Sequence, residues 1–362
     1  MGSLLATKWA DHVTGNDTTG DGSQGNPYKS ISKLVSQLKQ ANGEEPDGDY
    51  VEGRVVGGAD RLYTGTVDFP NDENIHLLAM YDEVDWEATG ANFMRVGEGT
   101  QLRSGDAIGS WYLHGNVSGA VVTTAYNVPV RVEDTRVVMA SPGGGRIISN
   151  VKGVEGWNAW VKRCRFTGPI GQYGIAVGTY TDLHRIAISS EYVGEHPGAF
   201  RLVSQGASGT CYHVAADLCQ QSGIVSSSPV RCCIVTRAIE GLVASYYGIE
   251  AADSDYNVVY DSFIEGREYS SQGAHDLIAD PLFTDRAARD FTLQAGSPAI
   301  NIGPDLDAWP DLAGVTTPYP AGGLVDAGAY EYYVTVEEIL LKNGVLSIAG
   351  ELVDHLTIAA PG

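Results

Sequence analysis

The densest grouping of chemically capable side chains lies in "WNAWVKRCRFTG" (157–168) and, one repeat later, in "TDLHRIAISS" (181–190). Lys162, Arg163 and Arg165 stand in the first stretch, His184 and Arg185 in the second, and Trp157 and Trp160 precede the cations. Cations neutralise a substrate carboxylate, Lys, Arg or His can remove the proton beside it, and flat indoles stack on sugar faces. The substrate-contacting set read from this is Trp160, Arg163, Arg165, His184 and Arg185, with no catalytic residue assigned. The opposing reading makes the same charges outward strand positions paired with Asp182, Glu155 or Glu191.

A second grouping is acidic: Asp253, Asp255, Asp261 and Glu265. Two carboxylates can serve as acid and base in glycoside hydrolysis, but the surrounding "AADSDYNVVYDSF" reads as turns and an exposed face. "DTTGDG" (17–22) begins like a calcium loop at Asp17, Thr19 and Asp21, then places Tyr28 where a bidentate Glu belongs. It reads as turn chemistry, so no metal or cofactor is assigned, calcium being the one ion considered. "PGGGRIIS" (142–149) lacks the Gly-Lys of a phosphate loop, and zinc-hydrolase and serine-hydrolase signatures are missing. Asn116-Val117-Ser118 fits a glycosylation acceptor only in form.

These groups need elements to position them. The 362 residues include 45 glycines, above the usual share of roughly 7%, and 19 tyrosines, a strand-and-turn composition. Ile31, Leu34, Val35 and Leu38 mark one face of a helix, with Ser30 as N-cap and Asn42-Gly43 as its stop. No comparable helical pattern follows. Short β-branched pieces recur instead: 50–58, 74–80, 120–126, 128–141, 145–153, 157–168, 181–190, 228–241 and 256–266. Intervals of twenty-odd residues suit a solenoid with one coil per repeat. A sandwich would also show short strands between turns.

The formal charge of −22 argues against nucleic acid, which demands dense Lys/Arg, and against anionic lipid. No apolar run reaches the roughly 20 residues of a membrane span. The start carries no signal-peptide pattern. Cys164, Cys211, Cys219, Cys232 and Cys233, odd in number and including an adjacent pair, read as buried free thiols in a reducing compartment.

"VTGNDTTGDGSQGNPYKSISKLVSQL" resembles the opening of right-handed parallel β-helix proteins of the pectate-lyase-like superfamily, where a Gly/Asp-rich segment leads into a helix plugging the coil. "DPLF" (280–283), "DF" (290–291), "GSPAI" (296–300) and "DAGAYE" (326–331) resemble the end of the same fold. The resemblance implies an all-β parallel β-helix with an N-terminal capping helix and a small C-terminal β appendage. The expected division is 1–45 for the turn-rich segment and cap, 46–333 for the β-helix, and 334–362 for a hairpin turning at Asn343-Gly344. Asp280 to Gly303 is expected to be the last coil and its terminator.

The superfamily spans lyases, hydrolases, spikes and adhesins, so its fold leaves activity open. The opening also resembles phage-encoded β-helix proteins. The expectation is a non-enzymatic virion structural protein, a capsid decoration or a tail- or spike-like component that contacts surface carbohydrate. It would assemble in the host cytoplasm and dock other virion proteins, or trimerise, through its C-terminal segment. The alternatives are a polysaccharide lyase or glycoside hydrolase acting on acidic polysaccharide, and a secreted adhesin.

Overall fold

The structure is a computed structural model. It describes the chain except residues 1–2, 43–48, 70–73, 91–92, 97–99, 107–108, 118–119, 125–129, 140–147, 152–158, 169–172, 178–180, 191–198, 206–208, 239–246, 262–267, 308, 320–321, 334–338, 343–344 and 349–362. Trp157, Glu155, Glu191, Glu265, the 142–149 glycines and the Asn343-Gly344 turn therefore lie outside the described residues, as does the side chain of Cys219.

The strands wind into a parallel β-solenoid with three hydrogen-bonded ladders. One ladder runs from Leu4–Ala10 through Tyr50–Val56, Ile75–Met80 and Gln101–Ser104 into the first halves of Arg131–Met139, Ala159–Gly168, Thr181–Ser190 and Gly209–Ser226. The second takes up the later residues of those strands and continues through Ile234–Ala238, Val258–Tyr260 and Leu277–Ile278. The third stacks Val67–Phe69, Met94–Val96, Val122–Thr124, Ile148–Val151, Tyr173–Val177 and Ala199–Gln205, then the last residues of Gly209–Ser226 and Ile249–Ala251. All three ladders are parallel, as expected for a coil and not for a sandwich.

A single backbone device joins the first two ladders. Asp134, Arg163, Arg185, His213, Cys232 and Tyr256 all have positive φ, between 50° and 60°, and the register puts them in one column. One left-handed residue turns the chain and reverses the alternation of side chains. Buried positions then fall at spacings of three and two: Val161, Cys164, Phe166; Leu183, Ile186, Ile188; Cys211, Val214, Ala216; Val230, Cys233, Val235. The corner side chains point away from that core.

The front of the core is closed by the expected helix, Ile31–Asn42. Ile31, Leu34, Val35 and Leu38 are buried, and Ser30 Oγ accepts the Lys33 N–H at 3.1 Å. Gly53 permits the close fit, since a Cβ there would stand 2.8 Å from Leu38 Cδ1. Asp17 belongs to this entrance: its Oδ1 accepts the N–H groups of Lys29 and Ser30 at 2.8 and 3.0 Å, the turn role its sequence suggested. The far end closes on buried polar groups. Asn257 Nδ2 donates to Val230 O, Ser254 Oγ and Asp276 Oδ1.

Residues 280–303 do not form the last coil. Phe283–Asp285 and Asp290–Leu293 pair antiparallel, as a separate two-stranded sheet. The chain to residue 333 then lies as a strap along the outside of the second ladder. The outward column explains the departure: Asp85, Tyr112, Arg136 and Arg165 give way to Ala187, Ala215, Ile234 and Val258. An outward apolar row must be covered, and Phe283, Phe291, Leu293, Ala299, Ala327 and Ala329 cover it. Beyond the strap, Ile339–Lys342 and Val345–Ile348 form the expected antiparallel pair, a two-stranded sheet of its own among the described residues.

Candidate functional site

The corner distributes the five expected contact residues over three places. Trp160 and His184 stay on the outward face of the first ladder, Arg163 and Arg165 turn the corner into a cleft, and Arg185 disappears beneath the strap.

On the first face the register stacks Arg131, Trp160, Asp182 and Thr210 in one column, with Glu133, Lys162, His184 and Tyr212 beside it. Trp160 Nε1–H donates to Asp182 Oδ2 at 3.1 Å. Thr210 Oγ1 donates to Asp182 Oδ1 at 2.6 Å and lies 2.6 Å from His184 Nε2. His184 Nδ1 is 3.1 Å from Asp307 Oδ2. Burial alone would raise the Asp307 carboxyl. The contacts with His184 and Arg185 outweigh it and hold the group well below the usual range.

The strap supplies a second indole. Lys162 Nζ sits 5.3 Å from the Trp160 ring and 5.0 Å from the Trp309 ring, and Arg131 covers Trp160 at 5.1 Å. Burial lowers the Lys162 pKa, while Asp182, Glu133 and Asp307 resist the change. The result is a half-buried aromatic pair around one ammonium, ringed by carboxylates.

Arg163 is at the corner, ion-paired with Asp134 of the preceding rung, its guanidinium 6.0 Å from the Trp309 ring. Burial raises the Asp134 carboxyl even with that partner. Arg165 Nη2 donates to Arg289 O at 2.8 Å. Both arginines line a cleft of about 500 Å³ with Asp106, Asp134, Arg136, Asp311 and Tyr330.

Arg185 has no exposed surface. Its Nε and Nη2 both reach Asp307 Oδ1 at 3.3 Å, and Nη2 donates to Thr317 Oγ1 at 3.1 Å. It fastens the strap, and a ligand in solvent does not reach it. In register Arg163 stacks on Arg185 and Arg165 on Ala187, yet Arg163 and Arg185 serve different partners.

The described members of the acidic group do not converge. Asp253 pairs with Arg231, Asp255 with His275 and Asp261 with Arg286. Cys164, Cys211, Cys232 and Cys233 are free and buried, as expected. Sequence reading does not reach Asp307, Trp309, Thr210 or Glu133. The first two lie in a turn-rich segment remote in sequence, and "DAWPD" (307–311) carries no signal beyond a Trp-Pro turn. No family model matches the chain, and no curated protein matches it.

Proposed function

We propose that the protein is a non-enzymatic β-helix that contacts carbohydrate, displayed on a virus particle. The observation carrying the sugar-contacting part is the pairing of Trp160 with Trp309 around Lys162, rimmed by Asp182, Thr210 and Arg131. Half-buried indoles offer flat apolar area for the C–H face of a sugar ring, and the rim offers donors and acceptors for its hydroxyls. Charge selects among sugars. Arg131 is paired with Glu133 at 2.7 Å, Arg163 with Asp134, and Lys162 stands among three carboxylates. With its cations so engaged, the face suits neutral, hydroxyl-rich glycan better than a uronate polymer, and the same shortage of uncommitted cations disfavours lyase chemistry.

Display on a particle rests on the resemblance of the chain's opening to phage-encoded β-helices. The separate pair Ile339–Lys342 and Val345–Ile348 suits a docking element. Mass spectrometry of purified virions from the encoding genome should find the chain at structural stoichiometry. Its absence from particles would overturn that part.

The rival, a polysaccharide lyase, draws on one observation: a lysine with lowered pKa among aromatic rings is a candidate base. Immobilised neutral and uronate polysaccharides, probed with wild type, Trp160→Ala and Trp309→Ala, test the main reading. Retention on neutral glycan that falls at least about tenfold in both variants is expected. Release of unsaturated product from a uronate polymer, abolished in Lys162→Met, would install the rival.

A further inference from the structure

The underside of the strap carries four carboxyl groups into the fold. Asp311, Asp326 and Glu331 are each 1% exposed and Asp307 is 9% exposed. The solenoid meets them with Arg185, His184 and His213. His213 Nδ1–H donates to Asp326 O at 3.2 Å, and burial followed by the Arg185 charge pushes its pKa down to about 3. The ring is therefore neutral and its Nε2 a bare acceptor. Arg185 is the one permanent cation in the group, facing four carboxyls. Buried carboxylates in that excess cannot all stay ionised.

Hydrogen bonding shows where a proton fits. Asp311 accepts the N–H groups of Val315 and Glu331 at 2.7 and 2.9 Å. Asp326 accepts those of Asn301 and Tyr332 at 2.7 and 2.5 Å. Glu331 Oε1 takes the Asp326 N–H at 3.3 Å and lies 3.7 Å from Arg185 Nη1. Among the described residues its Oε2 has no partner, and neither does His213 Nε2. A proton on Glu331 would convert one of these stranded acceptors into a donor.

We propose that Glu331 and Asp326 form a proton-operated latch: holding a proton, the pair keeps the strap closed over the corner column, and when both ionise the strap lifts, carrying Asp307 and Trp309 away from His184 and Lys162. Burial raises Glu331 to about 7 and Asp326 to about 6; Asp326 adds to the rise at Glu331 and Asp311 to that at Asp326, while Arg185 opposes both. The closed strap thus binds more protons than the lifted one between the ordinary carboxyl range and pH 7. Closure weakens as pH rises through that window and levels off above it. Asp307, shifted downward, weakens closure only at much lower pH. Arg185 and Glu331 are accordingly positioning residues for Trp309. The effect on ligand rests on the sugar-contact reading, whereas the latch itself does not.

Hydrogen exchange of the whole chain from pH 5.5 to 8, corrected for intrinsic rates, tests it. The strap amides of Leu312, Ala327 and Gly328, bonded to Ala329 O, Ala299 O and Cys232 O, should lose at least about tenfold protection. The solenoid amides of Arg131 and Trp160, bonded to Thr100 O and Val130 O, should not change. Glu331→Gln should flatten the strap's dependence. Strap protection independent of pH in the wild type, or an unchanged slope in Glu331→Gln, would overturn the latch. If that variant does not fold, Asp326→Asn and the wild-type series decide alone. Glycan retention at both pH values separates the two ideas. A pH-dependent strap with no retention at either pH sinks the sugar reading and leaves the latch standing.

Discussion

The Arg185 guanidinium grips the Asp307 carboxylate through two 3.3 Å contacts across 122 positions of chain. That grip joins a corner of the solenoid to the strap and sets the second indole beside the first.

Removing the grip should be costly. Arg185→Met leaves four buried carboxyls without their cation, and breaking a buried pair from one side costs about 3–5 kcal/mol. Urea unfolding of the variant should show the midpoint falling accordingly. A shift under about 0.5 kcal/mol, the size expected of a surface change, would mean the strap is fastened by its apolar contacts alone.

The capping helix makes its own prediction. Leu38 is fully buried over Gly53, so Leu38→Ala should cost about 2–5 kcal/mol. A loosened cap also uncovers strand edges that template association. Light scattering should show the variant self-associating at concentrations where the wild type stays dispersed.

Acid should act through His76. Burial, then the charges of Arg103 and Arg131, lower its pKa to about 4, below the ordinary value near 6.5. The unfolded chain binds its proton first, so this contribution is complete above about pH 6.5 and is lost as pH falls through 4. His76→Gln should flatten the stability curve in that window, measured by denaturant midpoints at successive pH values. A curve of unchanged slope would assign the acid response elsewhere.

The thiols should be inert in the folded chain. Burial raises Cys164 and Cys233 well above the ordinary range, and the thiolate is the reacting form. In a Cys219→Ser background, an aromatic disulfide reagent should titrate the other four cysteines only after denaturation. Rapid reaction of any of them in buffer would place it outside the core.

The cap was legible because Ile31, Leu34, Val35 and Leu38 lie within one local period. The coil was legible less directly. A plain alternation assigns Arg163 and Arg185 by counting, but each corner residue reverses the phase, leaving buried side chains at 161, 164 and 166 and at 183, 186 and 188. That three-then-two spacing stands in the sequence four times over, if the corner is known. The strap was misread as a coil because its covering residues, Phe283, Phe291 and Leu293, look like any short strands. Its target, Ala187-Ala215-Ile234-Val258, exists only once the rungs are stacked. Trp160 could be nominated from its neighbours, whereas Trp309 needed that stacking.

Solenoids ordinarily tolerate gain or loss of a whole repeat, because each coil touches only the next. Here the tail folds back over several coils and must meet Arg185, Cys232 and the apolar row together. Adding one coil between Thr181–Ser190 and Ile234–Ala238 would offset those attachment points by about 4.8 Å. The tail works as a ruler, so this stretch of the molecule can change its surface residues freely but not its number of turns.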